Sequence, residues 1–243
     1  MSIKKVTPRT TKPNINLMLK DEILDRFNYR CVHRHNGVDH PVCYAKARKV
    51  GERVGFLDIE SGGSLDADWG YVLCYCLKLL DGDIITRSIT PAQVRAPLMD
   101  GGTKDKKLME QFCKDVKNFD TLVVYYGKDT GGRYQRHDIP FLRTRCAKWG
   151  VEGFPEWKQI QIIDLFDIVK KYFKLSKRSM ANACRLFGIK AKGLPFNMEV
   201  WQDCLAGHQK ALDYVMKHCQ QDIRSTENLY KAVIKYRETR TRI

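Results

Sequence analysis

The sequence predicts an α/β fold with a mixed five-stranded sheet flanked by helices. The main indication is a set of apolar, β-rich runs at 54–63, 70–80, 83–90, 121–126 and 160–165. Asp81-Gly82, between the second and third runs, is a strong hairpin signal, so we expect the first three strands to be antiparallel. The fourth run is reached through a helix, which favours a position parallel to the first strand.

Helical periodicity occupies most of the remaining chain. Leu108, Met109, Phe112 and Val116 form an apolar stripe that predicts a helix over 104–118. Further helices are expected at 17–27, 137–149, 166–173, 179–187 and 209–237. The chain is thereby divided into a segment over 1–50, of which residues 1–13 are expected to be a mobile basic arm, and one larger domain over 51–243.

The charge of the chain indicates a polyanionic partner. Lys and Arg number 43 against 28 Asp and Glu, which gives a net charge of +15. Because the chain has neither a long apolar span nor an amphipathic membrane helix, nucleic acid is the expected partner and a membrane is not. A basic surface that binds nothing is the alternative.

The cysteines indicate a reducing environment. There are nine of them, an odd number, and no secretory signal follows Met1, so a cytoplasmic location is expected. Several lie in apolar segments and are most simply buried thiols: Cys74, Cys76, Cys113, Cys146 and Cys184.

Two carboxylates stand inside the first apolar run. Asp58 and Glu60 are two residues apart, so in a strand both point to one face while Ile59 points to the other. Like charges on one patch repel unless a cation lies between them. The pair is therefore a candidate metal site, with a strand that ends in solvated acids as the alternative.

Two later positions carry further candidate ligands. Asp138 precedes a proline at a helix start, where an acid also favours the helix dipole. His218 and Asp222 are four residues apart on the last helix and so share a face, as ordinary surface residues often do. Taken alone, each position therefore has a structural explanation that requires no function.

A compact group of soft-metal ligands lies between residues 31 and 43. It consists of Cys31, His33, His35, His40 and Cys43. Zinc takes four thiolate or imidazole ligands, so both cysteines, His40 and either His33 or His35 would complete a structural site. Alternatively, this is a basic loop that contacts phosphates. The cations around it are candidates for nucleic-acid binding in either case, among them Arg34, Lys46 and Arg48.

The ordered motifs resemble the DEDD superfamily of 3′-to-5′ exonucleases, which have a ribonuclease H-like fold. The resemblance covers residues 52–235, and its motifs are Leu57-Asp58-Ile59-Glu60, Asp138-Ile139-Pro140-Phe141-Leu142 and His218-Cys219-Gln220-Gln221-Asp222. Ile163-Asp164-Leu165 and the stretch 179–189 are similar to the family's link between its second and third motifs.

The resemblance implies a two-metal nuclease site. Asp58, Glu60, Asp138 and Asp222 would hold two Mg²⁺ or Mn²⁺ ions, because these hard cations prefer oxygen ligands. His218 is the candidate general base. The implied activity is hydrolysis of DNA or RNA from a 3′ end, with release of nucleoside monophosphates.

The chain departs from the family pattern at three places. The family has tyrosine four residues, or histidine five residues, before the last aspartate, whereas here histidine stands at the four-residue position. The loop before the second motif is longer and carries three residues suited to contact a strand by charge and stacking, Arg133, Tyr134 and Arg136. The Cys/His group is not a feature that the resemblance supplies.

Two other functions remain open from the sequence. One is a non-catalytic nucleic-acid-binding module, and the other is an endonuclease that acts on structured nucleic acid with the same carboxylates. Since the sequence contains no polymerase segment, a proofreading role would require a polymerase or another replication partner.

Overall fold

The computed structural model describes residues 20–48, 51–97, 104–131, 135–155, 160–190, 194–195 and 197–238. The arm predicted at 1–13 and two candidate nucleic-acid contacts, Arg133 and Tyr134, lie outside the described residues.

A mixed five-stranded sheet forms the centre of the fold, as predicted. Its strands are β1 (Val54–Gly62), β2 (Tyr71–Leu79), β3 (Ile84–Ser88), β4 (Thr121–Val124) and β5 (Gln161–Asp164). They lie in the order β3-β2-β1-β4-β5, with the first three antiparallel and β4 and β5 parallel to β1. The Asp81-Gly82 turn joins β2 to β3, and Asp81 adopts a positive φ of 55° there.

Helices cover the sheet and connect its strands. They are α1 (Lys20–Asn28), α2 (Pro41–Arg48), α3 (Pro91–Arg95), α4 (Lys106–Asp115), α5 (Asp138–Trp149), α6 (Leu165–Tyr172), α7 (Met180–Leu186), α8 (Met198–Leu205) and α9 (Gln209–Glu238). No helix in the described part of the chain is both long and apolar enough to cross a membrane.

Three short helices, α2, α3 and α8, were not predicted. Helix α3 begins with a capping box, a motif that can be recognised in the sequence. The Thr90 hydroxyl accepts from the Gln93 backbone N–H, and the Gln93 side chain accepts from the Thr90 N–H. Helix α8 begins after Asn197, whose side chain accepts from the backbone N–H of Glu199. Their shortness hides the apolar periodicity on which helix prediction depends.

The long helix α9 packs across the sheet and is tied to it at several points. Lys78 of β2 and Glu227 of α9 form a largely buried ion pair at 2.7 Å. Gln220 donates to the Thr86 hydroxyl of β3 at 3.0 Å. Buried side chains of α9 such as Ile223 join the sheet core. These contacts fix which residues of α9 lie over β1.

Helix α5 is held in place by a buried ion pair. Arg145 donates to both carboxylate oxygens of Asp105 at 3.0 and 2.7 Å, and both side chains are fully buried. Asp105 also accepts from the Trp149 indole and the Val72 backbone N–H. This network connects α5 to β2 and so sets the position of Asp138, the first residue of α5.

Candidate active site

The first two acids project from one face of β1. Asp58 lies opposite Cys76 of β2, and Glu60 lies opposite Cys74, so all four side chains share that face. The Cys219 thiol of α9 donates to the Asp58 backbone carbonyl at 3.4 Å, which places α9 directly over the acids. The strand register shifts between Glu60 and the next residue, and such an irregularity re-aims side chains beside it.

Glu60, His218 and Asp222 form a compact group. The Nε2 atom of His218 lies 3.7 Å from Glu60 Oε1 and 3.7 Å from Asp222 Oδ2. One ligand atom from each residue lies within 4.8 Å of the other two, so the group could hold a metal ion. Helix α9 therefore brings two residues, four positions apart, to an acid more than 150 residues earlier in the chain.

The orientation of the His218 ring is fixed by the backbone. Its Nδ1 lies 3.0 Å from the carbonyl oxygen of Leu194, and because a carbonyl only accepts, Nδ1 carries the proton. In the neutral ring Nε2 then presents its lone pair towards Glu60 and Asp222. The indole of Trp201 packs edge-on against the ring, with centroids 5.5 Å apart.

Asp138 lies buried at the start of α5, close enough to Asp58 for their charges to interact. Burial raises the pKa of the Asp138 carboxyl well above its usual range, and the negative charges of Asp58 and Asp164 raise it further. A carboxyl in this position favours either a proton or a nearby cation. The second motif is thus electrostatically coupled to the first.

A buried acid at the end of β5 shapes the turn on which Asp138 rests. Asp164 accepts hydrogen bonds of 2.8–3.0 Å from the backbone N–H groups of Tyr126, Gly127 and Lys128. It also accepts from Arg136 at 2.6 Å and caps α6. Tyr126 has a positive φ of 60°, and the Asp164 bonds stabilise this strained turn.

Gly127 provides the space for the Asp138 carboxylate. A Cβ atom on Gly127 would lie 2.4 Å from Asp138 Oδ2, closer than real contacts allow. The backbone carbonyl of Gly127 accepts from Ile139 in the first turn of α5 at 2.9 Å. This glycine is therefore required for close approach between the turn and the acid.

The residues proposed to contact nucleic acid differ in their surroundings. Arg136 is largely buried and bonds to both Asp164 and Asp167, so in this structure it supports the turn. Arg34 and Lys46 are exposed, whereas Arg48, also exposed, forms a bidentate ion pair with Asp25. Their roles in nucleic-acid binding stay predictions.

A second group of potential metal ligands lies in the N-terminal segment. It consists of Cys31, His33, His40 and Cys43, whose ligand atoms all lie within 4.8 Å of one another. His35 is not among them. The sequence left open whether His33 or His35 would be the fourth ligand, and in the structure His33 is the one that lies with the other three.

Sequence reasoning gave no site role to Asp164 or Gly127, although Asp164 lies in the Ile163-Asp164-Leu165 stretch that resembles the family. Asp164 stands at the end of an apolar strand and directly before a helix, which is the pattern of an N-cap acid. The hydrogen bonds from the 126–128 turn to Asp164 could not be read from the local sequence, because they join residues about 37 positions apart. Gly127 lies just after the end of another strand. Glycine is common in such turns for several reasons, so its presence there does not indicate a role in the site.

The comparison with protein-family models identifies the class. The model described as RNase_H superfamily matches residues 55–234, most of the chain. The protein therefore belongs to the RNase H superfamily, and residues 55–234 form an RNase H-like, nuclease-type domain. The ribonuclease H-like fold expected from the sequence is confirmed.

Among solved structures, one similar chain is the family B DNA polymerase from the hyperthermophilic archaeon Pyrobaculum calidifontis. The match has a TM-score of 0.58 and 19% sequence identity, which is a likeness of fold. It covers 76% of this chain and 25% of the polymerase chain, so this chain spans about a quarter of that length. The search of curated protein sequences found no match.

Proposed function

We propose that the protein is a metal-dependent 3′-to-5′ exonuclease that hydrolyses DNA or RNA to nucleoside monophosphates. The supporting observation is the convergence of acids from distant parts of the chain. Glu60 groups with His218 and Asp222, and the neighbouring Asp58 interacts with the buried Asp138. Such a concentration of buried negative charge is costly in a domain that holds no cation.

The donor atoms of four carboxylates support the proposal that the site would hold two Mg²⁺ or Mn²⁺ ions, although only Glu60 and Asp222 stand in the compact ligand group. Asp58, Glu60, Asp138 and Asp222 offer the hard oxygen donors that these ions prefer. Burial first, and then the negative charges of Asp58 and Asp164, raise the pKa of Asp138, and a divalent cation nearby would favour its ionised form. When bound, a pair of such ions would activate a water on one side of a phosphodiester and would stabilise the leaving oxygen on the other.

His218 is positioned to accept the proton of the attacking water. Its Nδ1–H is held by the Leu194 carbonyl, so Nε2 is the basic atom and faces the acids. The acids near Nε2 stabilise the imidazolium that forms. Burial by α8 and α9 limits the movement of the ring, which keeps Nε2 directed into the site.

A cleft next to Asp138 is suited to the end of a nucleic-acid strand. Its volume is about 460 Å³, and its lining includes Leu65, Tyr126, His137 and Phe141. Tyr126 is half-exposed and Leu65 is 83% exposed, so an aromatic and an aliphatic face are available for stacking against bases. Base stacking tolerates different sequences, as exonucleolytic degradation requires.

Hydrolysis assays on end-labelled DNA and RNA oligonucleotides, with and without Mg²⁺ or Mn²⁺, test this proposal. We expect stepwise release of mononucleotides from the 3′ end, and its loss in Asp58→Ala and Asp222→Ala. Asp203→Asn changes an exposed acid of α8 and is the matched control that should retain full activity. Full activity in the Asp58→Ala protein would refute the metal-site assignment.

The same assay separates the competing functions. Cleavage of a circular strand would indicate an endonuclease, whereas binding without turnover at any metal concentration would indicate a binding module. We also propose a reducing, cytoplasmic setting, which is supported by nine free cysteines. The need for a polymerase partner in any proofreading role stays a prediction.

A further inference from the structure

The ligand group at residues 31–43 has the dimensions of a tetrahedral metal site. Cys31 Sγ lies 3.4 Å from His40 Nδ1 and 3.8 Å from His33 Nδ1. Cys43 Sγ also lies 3.8 Å from His33 Nδ1. Zn–S bonds of about 2.3 Å and Zn–N bonds of about 2.0 Å place sulfur and nitrogen ligands of a tetrahedron about 3.6 Å apart.

We propose that Cys31, His33, His40 and Cys43 bind one structural Zn²⁺ ion. Two thiolates and two imidazoles are a set that zinc accepts, and four protein ligands leave no open position for catalysis. His35 lies outside the set and packs its ring against the His40 ring, with centroids 4.4 Å apart. This site is separate from the acids of the nuclease-type domain and does not depend on the proposed hydrolytic function.

The backbone around the ligands already folds back on itself. The Cys31 N–H donates to the His35 carbonyl at 2.9 Å, and the Arg34 N–H donates to the Cys31 carbonyl at 2.8 Å. Arg34 has a positive φ of 65°, which completes this tight turn. His40 then precedes α2, and Cys43 lies in its first turn, so one helix start positions two ligands.

The segment has little apolar core of its own. The buried side chains described within it are few, and they include Arg26, Tyr44 and Ala45. Small segments of this kind commonly need a metal or disulfides for stability, and the two cysteines here are free thiols. A zinc ion would join the 31–35 turn to α2 and fix both relative to α1.

The bound metal would also stabilise the contact between the segment and the larger domain. Arg26 of α1 forms a buried ion pair with Asp120, at 3.1 Å. Asp120 directly precedes β4, whose first residue pairs with the first residue of β1. This docking point therefore lies at the beginning of β1, where the segment meets the sheet.

Metal analysis of the purified full-length protein tests the proposal. We expect about one zinc per chain by elemental analysis, and a tetrahedral thiolate spectrum after replacement with Co²⁺. Cys43→Ser and His33→Asn should each lose most of the bound metal and lower the melting temperature. The matched control His35→Asn removes a neighbouring imidazole and should retain the zinc.

Two results would overturn the assignment. One is a parent protein with less than about half an equivalent of zinc and with both cysteines freely reactive. The other is zinc retention in His33→Asn together with zinc loss in His35→Asn. If a variant fails to fold, chelation and back-titration of the parent protein still show whether the folded chain binds one zinc, and a parent that binds none overturns the proposal. None of these measurements uses nuclease activity, so this proposal and the proposed function can fail separately.

Discussion

His218 is the residue whose chemistry depends most on its orientation. The Leu194 carbonyl holds one ring nitrogen, and the other faces two carboxylates. Histidine at this position combines the four-residue spacing of one form of the exonuclease family with the proton-accepting side chain of the other.

We expect His218→Ala to reduce hydrolysis by about 10² to 10⁴-fold, the usual contribution of a general base. His218→Tyr should retain more activity than the alanine variant, because a phenol can still hydrogen-bond to the attacking water. The pH dependence of the rate, measured at saturating Mg²⁺, is the readout, and its acidic limb should disappear in the alanine variant. If excess Mn²⁺ instead restores hydrolysis by the alanine variant, the result would indicate that the Nε2 atom of His218 is a metal ligand.

Substitution of Gly127 tests whether the position of the Asp138 carboxylate controls activity. The Gly127→Ala methyl group would collide with the Asp138 carboxylate, and small displacements of a catalytic group reduce rates by about 100-fold. We expect a loss of that size with a folded protein, as judged by circular dichroism. Gly51→Ala, where an added methyl group meets no atom within 4 Å, should behave like the parent. An active Gly127→Ala protein would show that this placement of the Asp138 carboxylate does not control the rate.

At the scale of elements, Asp120 connects the N-terminal segment to the sheet. It is buried and lies close to both Arg26 and Arg53. Burial opposes its ionised form, but the hydrogen bond from Arg53 and the two positive charges outweigh burial and lower the pKa of Asp120. One carboxylate therefore binds α1 and the residue before β1 to the beginning of β4.

We expect Asp120→Asn to destabilise the protein by about 3 kcal/mol at pH 7, because two cations lose their buried partner. A lowered carboxyl pKa contributes stability above the unfolded pKa of about 3.9 and loses it as the pH falls further. The difference between parent and variant should therefore shrink below about pH 4. Denaturation at pH 7 and pH 3 measures both effects.

The control is Asp25→Asn, which breaks an exposed pair with Arg48. Water screens the charges of an exposed pair, so this variant should stay close to the parent. Equal destabilisation by the two substitutions would contradict the special role assigned to Asp120.

At the scale of the whole molecule, a strongly basic chain contains a cluster of carboxylates. The net charge is +15, although the candidate active site concentrates carboxylates at one end of β1. The net positive charge would attract a polyanion from a distance, and metal ions would permit its phosphates to approach the acids.

We expect single-strand affinity to fall roughly 10-fold or more between 50 and 200 mM salt, because binding releases counterions. Fluorescence anisotropy with the Asp58→Ala protein, in the presence of Mg²⁺, measures this without hydrolysis. An affinity that does not change with salt would show that the net charge plays no part in binding.

The sequence by itself determined the sheet, the order of its long helices and the candidate acids. Periodicity and turn signals are local, so they indicate β1 with Asp58 and Glu60 on one face before any packing is known. The Asp81-Gly82 turn after β2 is likewise a local signal. The net charge of +15 is a property of the whole composition and needs no structure either. The family match agrees with this pattern.

Only the tertiary structure decided which side chains meet. The preference for His33 over His35, the support of the 126–128 turn by Asp164 and the pairing of Arg136 with acids depend on contacts between separate elements. A histidine, an aspartate or an arginine has the same sequence symbol whether it binds a metal, a backbone N–H or solvent. Its role is set by the neighbours that packing supplies, and these lie many residues away in the chain.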